Sequence, residues 1–166
     1  MDASLVSLFK FKRWSNGELL ALGIASRDQL PADDFRTFSR LLNHTWCVDR
    51  IFRAHLTGDA QRAPLATNTE ETPALEALLP EVQASDDWFV RYVEALDTGA
   101  LAERIAFRFT DGDTGTMSRA EMLHHLLLHG TYHRGAAGRI LAVHGVQPPR
   151  DAITTFLHRF EPGRRW

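Results

Sequence analysis

A histidine repeat constrains this chain most. His125, His129 and His133 stand four residues apart in the run His125-Leu126-Leu127-Leu128-His129-Gly130-Thr131-Tyr132-His133-Arg134-Gly135. On a helix, each step of four advances about 6 Å along the axis and returns the side chain to one face. Neutral imidazoles at i and i+4 can hold one divalent metal from a single helix. The rest of the chain then reads as a scaffold that brings a third ligand, from another helix, to this stripe.

Apolar spacing predicts four long helices. Leu5, Leu8, Phe9, Trp14, Leu19, Leu20 and Leu22 mark the first, over residues 3–27, with Asn16-Gly17 as a kink or weak turn inside it. The second covers about residues 33–56, stops near Gly58, and carries early acids that complement the helix dipole. Its buried face is Phe38, Leu41, Leu42, Thr45, Val48, Ile51 and Phe52. Residues 58–70 are small and polar, a long loop crossing one end of a bundle. Thr72-Pro73 opens the third helix, because proline is tolerated in a first turn. Its inner face, Leu75, Leu78, Leu79, Val82, Phe89, Val93 and Leu96, reaches Asp97, with Pro80 as a boundary or kink.

Residues 104–110 alternate in part, and Asp111-Gly112-Asp113-Thr114-Gly115 is a turn signal, so a short hairpin excursion is expected there. Ser118-Arg119-Ala120-Glu121 has capping-box spacing. The fourth helix therefore covers about residues 118–144, with Gly145 as its stop and Pro148-Pro149 barring continuation. Residues 151–159 make a short C-terminal helix. Four apolar stripes are most naturally buried in an all-α four-helix bundle, and residues 1–166 fit one domain.

The formal net charge of −2 gives no electrostatic reason to expect nucleic acid. The small basic cluster Lys10, Lys12 and Arg13 reads as solvated surface. The single cysteine, Cys47, excludes an internal disulfide framework and suits a reducing compartment. No apolar run approaches the roughly 20 residues that span a bilayer. The start, Met1-Asp2-Ala3-Ser4, lacks the basic-then-apolar layout of a secretory signal. A cytoplasmic protein acting on a small molecule, with no nucleic-acid or membrane partner, is the expectation.

Half of the eight histidines fall within residues 124–133. Met122, Leu126, His129, His133, Ala136, Ile140 and His144 share one broad helical face, so His129 and His133 interrupt a stripe that should be core. An unpaired buried polar group costs on the order of 1–3 kcal/mol. A bound metal recovers that; so would hydrogen bonds in a wet core or a place near a helix end. On the second helix, Thr37, Leu41, His44, Val48, Ile51 and His55 form another stripe, with His44 in its apolar middle. His44, His129 and His133 together supply three nitrogens and leave a metal position open for water or substrate. His55 is a rival ligand whose expected place is the surface at a frayed helix end. His125 is a rival on the fourth helix, with support or core packing as its expected role.

These segments also carry a resemblance. His44-Thr45-Trp46-Cys47-Val48-Asp49-Arg50-Ile51-Phe52 resembles the first-histidine helix of the DinB family, with its H-x4-D-x-x-[W/F] pattern. His129 to Gly135 resembles that family's H-x3-HRG helix, and Gly145-Val146-Gln147-Pro148-Pro149-Arg150-Asp151 matches the segment that follows. The resemblance implies a four-helix bundle of up-down-down-up course and frequent homodimers. It also implies a divalent metal, nickel or zinc or similar, on the residues matching His44, His129 and His133. It does not imply one reaction: some relatives transfer thiols such as bacillithiol, others use mycothiol in an isomerisation, and many have no known activity. The functional expectation is a metal-dependent enzyme, a transferase or hydrolase, with thiol transfer and a low-molecular-weight thiol as the first choice. The alternative is a non-catalytic metal-binding or dimeric interaction bundle.

Arg134 is expected to pair with Asp49 across helices, binding of an anionic substrate being its other role. Asp49 lies about 140° round the helix from His44, a poor position for a fourth ligand. Gly130 and Gly135 suit close helix approach, with access to the metal as a second role for Gly130. Tyr132, Cys47, Trp46 and Trp88 read as packing residues. No H-E-x-x-H motif points to a metalloprotease, and no glycine loop to a phosphate site.

Overall fold

The computed structural model describes residues 2–64 and 66–164. In chain order it contains α1 (Ala3–Ala25), α2 (Ala32–Leu56), α3 (Leu75–Ala95), the short α4 (Thr98–Ala102), β1 (Arg104–Arg108), β2 (Thr114–Ser118), α5 (Arg119–Val143) and α6 (Ile153–Phe160). α1 packs chiefly on α3 and α2 on α5, while α1–α5 and α2–α3 contacts complete the group. The chain is mostly helical, as expected, and no described helix is long and apolar enough to cross a membrane.

Local chemistry sets the helix ends. The Asp2 carboxylate accepts from the Ser4 and Leu5 N–H groups and starts α1. Ser118 and Glu121 form the reciprocal capping box of α5, and Gly145 adopts φ +77° just past its end. α4 was not anticipated; it begins where the Asp97 side chain accepts from the Ala100 N–H. α1 runs through Asn16-Gly17 without a break, because tertiary bonds from Asn16 outweigh weak helix propensity. α3 begins at Leu75, two residues later than Pro73, and continues past Pro80. Pro80 and Glu76 are both exposed, so the carbonyl left without its helical donor can be hydrated.

The hairpin pairs Ile105 with Met117 and Phe107 with Gly115. Phe107 and Phe109 close over Gly115, where a Cβ would come within 3.1 Å of the Phe109 ring.

The core divides into two apolar clusters. One gathers Leu5, Phe9, Phe89, Val93, Met122 and Leu126; the other Leu20, Phe38, Leu42, Leu75, Leu78 and Leu141. Along each long helix, polar residues occupy the interval between them: Lys12 and Asn16 on α1, His44 on α2 with Asp49 just beyond Val48, Asp86 on α3, His129, His133 and Arg134 on α5. Lys12 is therefore not surface: it is only 1% exposed, between two carboxylates.

Candidate metal centre

α2 and α5 meet at mid-height through their histidines. One ligand nitrogen each from His44, His129 and His133 lies within 4.8 Å of the other two, and this is the only such group of three or more His, Cys, Asp or Glu side chains among the described residues. The Nε2 atoms of His44 and His129 are 3.0 Å apart. His44 Nδ1 is 2.8 Å from the Thr67 carbonyl, an acceptor only. That contact sets the tautomer: Nδ1–H donates outward, and the Nε2 lone pair is left facing the other histidines.

Electrostatics disfavour a charge on His129 and His133. Burial pushes His129 down to about 3, with His133, His44, His125 and Lys12 adding to the effect. Burial and His44 also lower His133. His133 Nδ1 is buried without a hydrogen-bond partner. Imidazoles aimed at one point, one lone pair fixed by Thr67, and an unspent buried nitrogen fit a divalent cation better than they fit each other.

The rival histidines fall elsewhere. His125 is exposed on one side and stacks on Phe52 at 4.7 Å and on His129 at 5.4 Å, so it braces a cluster ring rather than packing in the core. His55, expected at the surface, is 9% exposed beneath the hairpin, 5.7 Å from Phe107. The helix does not fray there, because the hairpin covers it. The histidine face of α5 is also not its most buried face. Met122, Leu126, Gly130, Arg134, Ala137 and Leu141 are buried, while His129, His133 and Ile140 are half-buried and Ala136 is exposed. The histidines stand on the shoulder of the core, where a small molecule can approach.

On the neighbouring face of α5 lies a network that sequence reasoning missed. Lys12 Nζ donates to Asp49 and to Asp86, each at 2.6 Å. Asn16 donates to Asp86 at 2.8 Å and accepts from Arg134 at 3.2 Å. Arg134 pairs with Asp151, through Nε at 2.8 Å and a second nitrogen at 3.3 Å, not with Asp49 as expected. The turn after Pro148-Pro149 brings Asp151 back over the helix, while Lys12 from α1 takes Asp49. Gly130 leaves the room: a Cβ there would lie 3.1 Å from the Arg134 guanidinium and 3.7 Å from Lys12. Burial alone would lower the Lys12 pKa, but Asp49 and Asp86 reverse this and raise it. Burial raises Asp49 to about 6 against the pull of Lys12.

A signal for this network existed. Lys12 and Asn16 on α1 and Asp86 on α3 each fall where the helical period calls for an apolar residue.

Cys47 is buried beside Asn43, a packing residue as expected. Trp46 and Trp88 are partly buried against the apolar clusters and stack under Arg50 and Arg53. Tyr132 is exposed and not a core packing residue as expected; its ring meets that of His133 edge-on at 5.1 Å.

Compared with known protein families, residues 1–164 match the model of the DinB family. No curated protein and no solved structure matches the chain. The three-histidine cluster and the family match together fit a metal-binding protein of this kind.

Proposed function

The chain belongs to the DinB family, and on that premise we propose that it is a metal-dependent enzyme whose divalent ion is held by His44, His129 and His133. The observation that carries this reading is the convergence of three imidazole nitrogens within 4.8 Å. A purely structural ion is ordinarily closed by four protein ligands. Three histidines on a half-buried shoulder favour a site with a position left for substrate.

Each residue has a distinct part. His44 presents Nε2 because Thr67 holds its Nδ1–H. His129 stays unprotonated near neutral pH and is braced by the stacked His125. Arg134, anchored by Asp151 and Asn16, fixes the rotation of α5 directly after His133. What a bound divalent ion supplies is acidification of a thiol or water at its remaining position, giving a nucleophile near neutral pH without a separate base.

Thiol transfer, with nickel or zinc as the ion and a low-molecular-weight thiol as one substrate, rests on the family resemblance, as do the cytoplasmic location and the homodimer. One domain of up-down-down-up course is part of the same reading. It is supported by Lys10 meeting Glu94 and Asn16 meeting Arg134, while Phe52 meets His125 and Asp34 meets His144.

Elemental analysis of the purified protein tests the centre. About one divalent ion per chain is expected in the wild type, and near none in His129→Ala or His133→Ala. Equal content in all three would end the proposal. For the reaction, chelator-sensitive loss of free thiol in the presence of an alkylating electrophile is the expected result, abolished in the same variants.

A further inference from the structure

A second concave feature lies apart from the three histidines. It is a cleft of about 900 Å³ between the hairpin and the segment following α2, with Ile51 and His55 as its α2 wall. Its size is in the range of small-molecule sites, about 300–1,000 Å³. Along α2, His55 is eleven residues beyond His44, about 16 Å of helix rise, so the cleft is a separate place and not the rim of the metal centre.

Two observations single it out. The first is His55. Its side chain is nine-tenths buried and lines the cleft, yet no described hydrogen bond reaches either ring nitrogen. Neither ring nitrogen is fully enclosed, so the ring is left open to an acceptor or donor that enters the cleft. Burial lowers the His55 pKa, so near neutral pH the ring is uncharged and keeps one N–H to donate. The second is the wall opposite. Phe107 and Phe109 meet edge-on at 4.7 Å and, with Ile51 and Pro64, give the cleft an apolar, aromatic-sized body.

Charge then selects the ligand. No aspartate or glutamate is among the described lining residues, and Arg108 is the one cation there. Asp111 and Asp113 belong to the hairpin turn but do not line the cleft. We propose that this cleft binds a small organic anion: a flat apolar body lies against Phe107 and Phe109, and its carboxylate accepts from His55 in the field of Arg108. The site is independent of whether the histidine centre holds a metal.

The test uses the full chain and 2-naphthoate, with 2-naphthylmethanol and 2-naphthylmethylamine as neutral and cationic counterparts, by calorimetric titration. Saturable binding at one site is expected, tightest for the acid and weakest for the amine. Arg108→Gln, at an exposed position whose described side-chain hydrogen bond is a 3.4 Å contact to the Gly112 carbonyl, should weaken the acid about tenfold and leave the alcohol unchanged. His55→Leu should weaken both about fivefold. His129→Ala should bind naphthoate as the wild type does, while Arg108→Gln keeps its metal content, so failure here and failure of the metal centre are distinguishable. Non-saturating binding, equal affinity for acid and amine, wild-type affinity in Arg108→Gln, or lost affinity in His129→Ala would each overturn the proposal.

Discussion

Two polar groups share the middle of this helical core, on adjacent faces of α5. Lys12, Asn16, Asp49, Asp86, Arg134 and Asp151 pair cation with carboxylate and donor with acceptor inside the protein. His44, His129 and His133 bring like groups together, imidazole nitrogen facing imidazole nitrogen. The first group is complete in itself; the second is completed only from outside. A buried polar cluster therefore reveals its use by whether its own members satisfy it.

That contrast can be broken experimentally, most forcefully on the paired side. Lys12→Met leaves two buried carboxylates facing each other without their cation, and removal of one partner from such a pair costs about 3–5 kcal/mol. Urea denaturation should show a loss of that size. A loss under about 1 kcal/mol would mean that water reaches the network and that it is not sealed.

On the open side, the expected effect depends on metal. Chelation of metal-loaded protein should lower stability by about 2.7 kcal/mol when the free ion had been held at a hundredfold its dissociation constant. His129→Ala should show no response to chelation. In metal-free protein that substitution should shift stability by only about 1 kcal/mol, since it removes a group with no charged partner. Comparable losses for Lys12→Met and metal-free His129→Ala would erase the distinction between the two groups.

The finest test is pH. Asp49 holds its proton more tightly in the folded protein than in the unfolded chain, since its pKa is raised to about 6 by burial. The folded state thus binds more protons between the ordinary carboxylate range and about 6. The stability this contributes is fully present below that range and is lost as pH rises through about 6. Asp49→Asn should flatten this part of the profile when denaturation is compared with wild type from pH 4 to 7. Parallel profiles would show that Asp49 is ionised throughout, held so by Lys12.

Much of the fold was legible locally. The Ser118 and Glu121 pair and Gly145 mark element ends by short-range chemistry where expected, and the turn signal at 111–115 marks the hairpin, although Thr114 and Gly115 already belong to β2. The cluster residues were legible too, since H-x3-H spacing and a histidine inside an apolar stripe are both periodic signals. The partner of Arg134 was not. Asp49 and Asp151 are equally plausible in one dimension, and the choice follows from how far α5 is rotated and where the turn after Pro149 returns. His55 was misplaced for a related reason: its burial comes from a hairpin some fifty residues further on.

The sequence by itself determined the four long helices, the capping box and stop of α5, the hairpin and the identity of the three cluster histidines, because periodicity and capping act within a few residues. Only the tertiary structure decided that Lys12 is buried, that Arg134 belongs to Asp151, and that the histidines sit on a half-open shoulder. Those outcomes depend on the relative rotation of packed helices, a long-range balance of burial against pairing that no single helix contains.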